Sequence, residues 1–495
     1  MKQVTDELSR LNWGKTAYAV FVLCATTAIA LPAQTFTTLH RFDNTDGGSP
    51  DAGLIQATNG SFYGTTYNGG ANTGGTVFKI TPTGALTTLY NFCSQSYCTD
   101  GGGVYAGLVQ SANGDFYGTT VSGGANGYGT VFSITPAGVP TTVHNFCSQS
   151  ACADGGYPYA GLFQAANGVF YGTTFIGGNT NGESPEGTVF KITASGTLTT
   201  LYDFCHGFGT CRDGSAPLAG VIQASDGNFY GTTFTGGTKA GWPAGLGDNG
   251  TVFKLTPGGA LTTLYSFDNS SSYPYGSWPR AALVQASDGN LYGTTNQRGA
   301  NGNYGAIFKI TTSGSITALY SFCAVSGCLD GANPESPVIQ ATDGNFYGTT
   351  RLGGANNGGT VFQITPGGTL TTLYSFCAQA GCVDGQYPYA GLFQATDGNL
   401  YGTTYQGGTA GKGTVFSLSV GLAPFVKMLP ALATAGDAVK ILGTNLTGAT
   451  RVSFNGTAAV FKVVSASLIT TTVPTGAASG TVQVAMPGGK FLSVR

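Results

Sequence analysis

The sequence predicts an all-β fold, a seven-bladed propeller followed by a small β-sandwich. Three observations carry that expectation. The tetrapeptide Tyr-Gly-Thr-Thr begins at Tyr63, Tyr117, Tyr171, Tyr230, Tyr292, Tyr347 and Tyr401, at spacings of 54, 54, 59, 62, 55 and 54 residues. A period in that range marks one supersecondary unit stacked on copies of itself. An Asn-Gly or Asp-Gly pair precedes every copy, from Asn59-Gly60 to Asp397-Gly398. This is the strongest short-range hairpin signal, because both central residues of the turn need positive φ. Composition agrees, since the 495 residues are 41% hydrophobic and 8% charged with 81 Gly, against roughly 25% charged in ordinary domains. The apolar runs are built from Thr, Tyr, Phe and Val, residues that suit a pleated, half-buried surface.

Each repeat resolves into four short strands, the unit of a propeller blade. In the second repeat they are expected at 106–111, 115–120, 129–134 and 140–146. A fourth-strand sequence at 36–42 precedes the first Tyr-Gly-Thr-Thr, and the seventh repeat stops at 413–418 without one. The N-terminal strand is therefore expected to complete blade seven, which removes the exposed edge of an open ring. A parallel β-helix has coils much shorter than these repeats. In an up-and-down blade the turns after strands one and three share one face, and here they are tight. The connections after strands two and four are long and take the insertions, at 177–187 and at 235–250. Variable loops on a rigid frame are where binding usually resides.

Residues 1–33 read as a secretory signal. Lys2, Arg10 and Lys15 precede or open an apolar run over 16–31, with small residues at Ala28, Ala30 and Ala33. That run is shorter than the ~20 residues of a spanning helix, so no membrane span is expected after cleavage, and the location is secreted, extracellular or periplasmic. Ten further cysteines form five close pairs: Cys93 with Cys98, Cys147 with Cys152, Cys205 with Cys211, Cys323 with Cys328, and Cys377 with Cys382. The two repeats without them lack both members, as bonded pairs would. Two ligands per repeat cannot build the four-coordinate shell of structural zinc, so disulfides are expected.

The propeller is assigned to 34–420, and a different pattern fills 421–495. Strands are expected at 438–442, 451–454, 459–464, 468–473 and 481–485, between Gly-rich turns. The runs Ala435-Gly-Asp-Ala-Val-Lys-Ile-Leu-Gly-Thr-Asn-Leu446, Val452-Ser-Phe-Asn-Gly-Thr457 and Gly480-Thr-Val-Gln-Val484 resemble the IPT/TIG family, which implies an Ig-like β-sandwich. The sevenfold unit, with Gly-Leu-x-Gln-Ala, Asp-Gly-Asn-Phe-Tyr-Gly-Thr-Thr, Gly-Thr-Val-Phe-Lys-Ile-Thr and Leu-Thr-Thr-Leu-Tyr-x-Phe, resembles the GloVer tandem repeat of secreted bacterial proteins over 36–418.

Charge divides between the parts: 34–420 holds 11 Lys+Arg and 19 Asp+Glu, and 421–495 holds 6 and 1. Dispersed lysines, no basic motif and a secretion signal argue against nucleic acid. Catalytic groups are scarce. His40 and His144 occupy the Tyr position of the fourth strand, His206 lies in a cysteine loop, and the mature Glu are Glu183, Glu186 and Glu335. A glycosidase needs two carboxylates flanking one bond, and Glu183 with Glu186 reads as surface charge, so no catalytic residue is assigned. One Gln per first strand (Gln56, Gln110, Gln164, Gln223, Gln285, Gln340 and Gln394) lines the channel, and recurrence in every blade favours a structural role in satisfying backbone groups between blades. The asymmetric candidates are aromatic residues of the long connections: Tyr157, Tyr159, Trp242, Tyr275, Trp278, Tyr387 and Tyr389. Rings beside Asn, Asp and Gly suit sugar faces, and packing at the blade entrance is the competing reading. Asp100, Asp154, Asp213, Asp330 and Asp384 precede Gly in the cysteine loops as turn formers, with loop-bound calcium as the alternative and no other cofactor or metal expected. The function expected is a monomeric, non-enzymatic recognition scaffold for carbohydrate or cell-envelope material, its partner a polysaccharide or another envelope protein. An extracellular polysaccharide hydrolase or lyase is the alternative.

Overall fold

A computed structural model describes residues 34–178, 186–205, 211–238, 249–268, 274–429, 433–487 and 491–494. The leader, His206, Glu183, Trp242 and most of both insertions lie outside the described residues. Seven four-stranded antiparallel sheets form the blades. Blade one runs outward through Ile55–Gln56, Phe62–Thr66, Thr76–Ile80 and Leu86–Asn91. Blade seven has Phe393–Gln394, Leu400–Thr404 and Thr414–Ser419, with the N-terminal Thr35–Arg41 as its outer strand. Register runs from Thr35 opposite Ser419 to Arg41 opposite Thr414. Phe36 on this closing strand stacks on Tyr374 of blade six at 3.8 Å between ring centroids.

Each residue of the tetrapeptide has a physical task, which explains its recurrence. In blades four to seven the Tyr phenol donates to the Asp of its own hairpin turn, as Tyr347 does to Asp343 at 2.8 Å, and in blade one Tyr63 Oη accepts from Asn59 Nδ2 at 2.8 Å. The Gly leaves room for the third-strand Phe: a Cβ on Gly64 would stand 2.6 Å from the Phe78 ring. The first Thr bonds the next blade, from Thr65 Oγ1 to the Ala106 carbonyl at 2.9 Å round to Thr403 Oγ1 to the Ala52 carbonyl at 3.1 Å. In six blades the second Thr bonds the Thr opening strand three, as in Thr66 with Thr76 at 2.9 Å, and in blade five, where Ala306 stands, Thr295 donates to the Tyr275 carbonyl at 2.9 Å. Between adjacent blades the cores are aromatic and aliphatic, for example Tyr63, Val77, Phe92, Phe116, Phe132 and Ile134 between blades one and two.

Two sequence expectations about the blades are corrected. The first strand of blade two pairs only over Val109–Gln110, not over 106–111. Near the axis the inner segments crowd, so that a Cβ on Gly107 would lie 3.2 Å from the Gly53 carbonyl. There the backbone carbonyls accept Thr hydroxyls from the neighbouring blade rather than ladder bonds. The Asn-Gly and Asp-Gly hairpins place only the Gly at positive φ, +82° at Gly60 and +80° at Gly227. Gly60 N donates to the Ala57 carbonyl and Ala57 N to the Ser61 carbonyl, a three-residue loop ending in a left-handed Gly rather than the two-residue form.

The five disulfides join Cys93–Cys98, Cys147–Cys152, Cys205–Cys211, Cys323–Cys328 and Cys377–Cys382. Bridges of this kind persist in oxidising compartments. No helix among the described residues is long and apolar enough to cross a membrane.

The C-terminal part is a sandwich of two four-stranded sheets. One holds Lys427–Leu429, Ala438–Leu442, Leu468–Thr472 and Phe461–Ser465; the other holds Thr457–Ala459, Arg451–Phe454, Val482–Ala485 and Phe491–Val494. Val426, Ile441, Val452, Ile469 and Val484 meet between the sheets, each 0% exposed. The strand expected at 459–464 is in fact two, because the chain changes sheets at Val460, which is 92% exposed. This sandwich sits on the tight-turn face of the propeller. Thr444 Oγ1 bonds Thr396 Oγ1 of blade seven at 2.7 Å, Ser467 Oγ donates to the Thr58 carbonyl of blade one at 3.2 Å, and Lys440 Nζ donates to the Ala112 carbonyl of blade two at 3.2 Å.

Candidate functional site at the channel mouth

Twelve residues before each repeated Tyr stands one position where the blades disagree: Asp51, Tyr105, Tyr159, Leu218, Arg280, Glu335 and Tyr389. Each opens the inner segment of its blade, where the chain enters from the long-loop face. Closure of the ring brings all seven together around a cavity of about 520 Å³, with Phe175 and Phe234 also in the wall. That volume falls in the range of small-molecule sites. In six of the seven blades the residue after Tyr-Gly-Thr-Thr forms an outer tier that touches the mouth residue of the same blade or the next.

One side of the mouth is aromatic. Tyr105 meets Tyr67 at 5.8 Å and Tyr159 at 5.4 Å, and Tyr159 meets Phe175 at 5.4 Å, all edge to face. The opposite side is charged. Glu335, whose side chain is 4% exposed, takes Arg280 Nη1 on Oε2 at 2.8 Å and Arg351 Nη1 on Oε1 at 3.3 Å. Asn296 Nδ2 donates to Glu335 Oε1 at 3.2 Å. The Arg280 guanidinium lies 5.3 Å from the Phe234 ring centre and Arg351 lies 5.1 Å from that of Tyr389, within cation–π range. Arg351 Nε is buried without a hydrogen-bond partner.

Burial governs the protonation of this site. The Asp51 carboxyl is pushed up to about 8 by its removal from water, with the Glu335 carboxylate adding to the shift. Burial likewise holds the Tyr105 phenol well above its usual range, and Asp51 reinforces it. Tyr159 and Tyr389 are also raised by burial, Arg351 partly opposing the shift at Tyr389. At neutral pH Asp51 is therefore a neutral donor, and all three phenols keep their protons.

The aromatic candidates divide. Tyr159 and Tyr389 line the cavity. Tyr157, Trp278 and Tyr387 sit two residues earlier in their loops at φ of +54°, +61° and +57°. Their N–H groups bond the preceding blade, at the carbonyls of Tyr128, Asn249 and Gly358, which makes them seam residues on the rim. Tyr275 packs in the core between blades four and five, 5.8 Å from Tyr265. Asp51, Tyr105, Arg280, Glu335 and Arg351 were not singled out from sequence. The signal that reveals them is internal: aligned on Tyr-Gly-Thr-Thr, the columns before Ala-Gly-Leu and after Thr-Thr change character from blade to blade.

The recurrent polar residues are structural. In six of the seven blades the channel Gln bonds the preceding blade, for instance Thr58 N to Gln110 Oε1 at 3.1 Å and, across the closure, Thr396 N to Gln56 Oε1 at 3.0 Å. His40 and His144 do take the place of Tyr, bonding Asp46 and Asp154. In Asp100 one oxygen accepts Tyr90 Oη, Ser94 N and Ser94 Oγ, and the other accepts Gln95 N. Burial would raise this carboxyl, but those bonds outweigh it and hold it low. Asp154, Asp330 and Asp384 are likewise filled on both oxygens by protein donors, so a calcium ion would have to displace them. No group of three or more His, Cys, Asp or Glu able to hold a metal occurs among the described residues.

Comparison with known proteins gives a family. The family model described as the Gloeobacter/Verrucomicrobia repeat matches residues 25–240 and 181–416, and that of the IPT/TIG domain matches 427–494. No curated protein matches. Among solved structures, the extracellular domain of a candidate hybrid two component system from B. thetaiotaomicron is similar at 12% identity and TM-score 0.49, covering 94% of this chain and 59% of that one. A candidate gluconolactonase is similar at 12% identity and TM-score 0.39, covering 79% and 94%. A PQQ-bound aldose sugar dehydrogenase from Streptomyces coelicolor is similar at 13% identity and TM-score 0.38, covering 78% and 98%. At such identities and scores neither ligand nor activity passes from these proteins to this chain.

Proposed function

For a chain that belongs to the Gloeobacter/Verrucomicrobia repeat family and carries an IPT/TIG domain, we propose the role of an exported, non-enzymatic recognition module that binds saccharide at the channel mouth. One observation carries this reading. The repeats are nearly uniform in their frame and diverge where they meet around the cavity, and there they set an aromatic arc against charged hydrogen-bonding groups. Sugar rings offer C–H faces to aromatic rings and hydroxyls to such groups, and rigid Tyr loses little entropy on binding. Export rests on the signal read at 1–33 and on the five disulfides. The partner is then extracellular polysaccharide or envelope glycan. Panning the mature protein against glycans and cell-wall fractions tests the role. Tyr159→Ala and Tyr389→Ala should each weaken capture at least about 10-fold, equivalent to about 1.4 kcal/mol, while Asn228→Ser and Asn345→Ser on the tight-turn face leave it unchanged. Loss of capture by the turn variants alone would refute the placement.

A hydrolase or lyase remains the second reading, favoured by the raised carboxyl of Asp51 in a site that also holds Glu335, since two carboxylates with separated protonation are the pattern of acid–base catalysis. Against it, both Glu335 oxygens are taken by Arg280, Arg351 and Asn296. Product analysis on every captured glycan separates binding from turnover.

A further inference from the structure

We propose that the saccharide bound at the mouth is acidic, a uronic-acid unit whose carboxylate is read by the guanidinium groups of Arg280 and Arg351. This deepens the saccharide reading and rests on it. The two guanidinium groups come from neighbouring blades five and six and converge on one buried carboxylate, Glu335. With its oxygens filled by Arg280, Arg351 and Asn296, Glu335 acts as the anchor that fixes both forks. The guanidinium groups themselves are not consumed. Each has five N–H donors and gives Glu335 one nitrogen, and their side chains are 34% and 39% exposed, Arg280 in the cavity wall and Arg351 in the outer tier beside it. Their contacts with the Phe234 and Tyr389 rings restrict them further. A planar fork held in this way is pre-organised for a carboxylate.

Local charge points the same way. Two guanidinium groups face one ion-paired carboxylate, and burial keeps the second acid of the mouth, Asp51, uncharged at neutral pH. The mouth with its outer tier therefore carries a surplus of one positive charge inside a propeller with 11 Lys+Arg against 19 Asp+Glu. An excess cation in an acidic body, facing an aromatic arc across the mouth, suits a sugar that carries its own anion. A neutral sugar would leave those donors to water.

The test is titration calorimetry of the full mature protein with oligogalacturonate, oligoglucuronate and oligomannuronate, each beside its carboxyl-reduced neutral counterpart, and with a sulfated oligosaccharide. At least one uronate should bind about 10- to 100-fold more tightly than its reduced form, the range expected of one or two charge-assisted hydrogen bonds, and should weaken as salt rises. Arg351→Gln should remove that preference, and Arg351→Lys should restore it only in part. Arg280→Gln gives an independent reading should the first variant unfold, with circular dichroism as the check on each. Equal binding of acidic and reduced forms, still lost in Tyr159→Ala, would overturn the acidic ligand and leave saccharide binding standing. Preference for the sulfated probe alone would also overturn the carboxylate. Binding of none would overturn the acidic ligand, and the glycan and cell-wall panning decides the saccharide reading separately.

Discussion

Asp51→Asn separates the electrostatics of the mouth from its shape. Asparagine matches aspartic acid in size and cannot ionise. In the unfolded chain the carboxyl titrates near 3.8, and in the folded one it is pushed up to about 8 by burial and by Glu335. Between those values the folded protein holds a proton that the unfolded chain has released, so stability falls as pH rises. The slope is about 1.4 kcal/mol per pH unit, and the full window amounts to roughly 6 kcal/mol. For a propeller of this length the unfolding entropy is about 0.8 kcal/mol/K, so the melting temperature should drop by about 7 °C. Differential scanning fluorimetry of wild type and Asp51→Asn from pH 4 to pH 9 reads this directly, since other groups cancel in the difference. The wild-type curve should descend relative to the variant from pH 4 to 8 and then run level. Parallel curves would show that Asp51 is hydrated, and the charge balance assigned to the cavity would fall with it.

Three further outcomes are expected. Phe36→Ala, which removes the ring stacked on Tyr374, should cost about 3 kcal/mol in chemical denaturation, and deletion of Thr35–Arg41 should lower the melting temperature far more; an unchanged melting temperature after deletion would refute ring closure. Peptide mapping of exported protein alkylated without reduction should find five local bridges, and Cys377→Ser with Cys382→Ser should cost at most about 2 kcal/mol; cross-blade links or alkylated thiols would contradict the pairing. Thr403→Val, which removes the hydroxyl bonded to Ala52 across the closure, should cost about 1–3 kcal/mol, close to Thr349→Val at an ordinary blade boundary; a near-zero cost would show that the closing seam does not depend on this bond.

Blade number, ring closure, cysteine pairing and the role of the Gln ring were legible because each is written several times over in the chain. Repetition lets one misleading residue be outvoted. The mouth is written once. Glu335 and Arg280 each look like an isolated surface charge, and only the closing of the ring sets Glu335 beside Arg280 and Arg351. Tyr157 and Tyr159 are equally aromatic, yet the first carries a left-handed backbone pinned to blade two while the second faces the cavity. Residue type cannot distinguish two sides of one loop. The first strand was overestimated for a related reason: its apolar pattern is real, but crowding at the axis hands its carbonyls to a neighbouring blade.

The bond from each first Thr of the tetrapeptide to the next blade has a consequence for how such a chain can change. From Thr65–Ala106 round to Thr403–Ala52 the donor is always the same and the acceptor is always a main-chain carbonyl. A blade copied by gene duplication would thus arrive with both of its joints already compatible with any neighbour. Because those joints use no side chain at the mouth position, a substitution at residue 105 or 280 alters what the ring can grip without altering how it is assembled. The frame and the reading head can drift separately, and relatives sharing every joint would be free to recognise entirely different molecules.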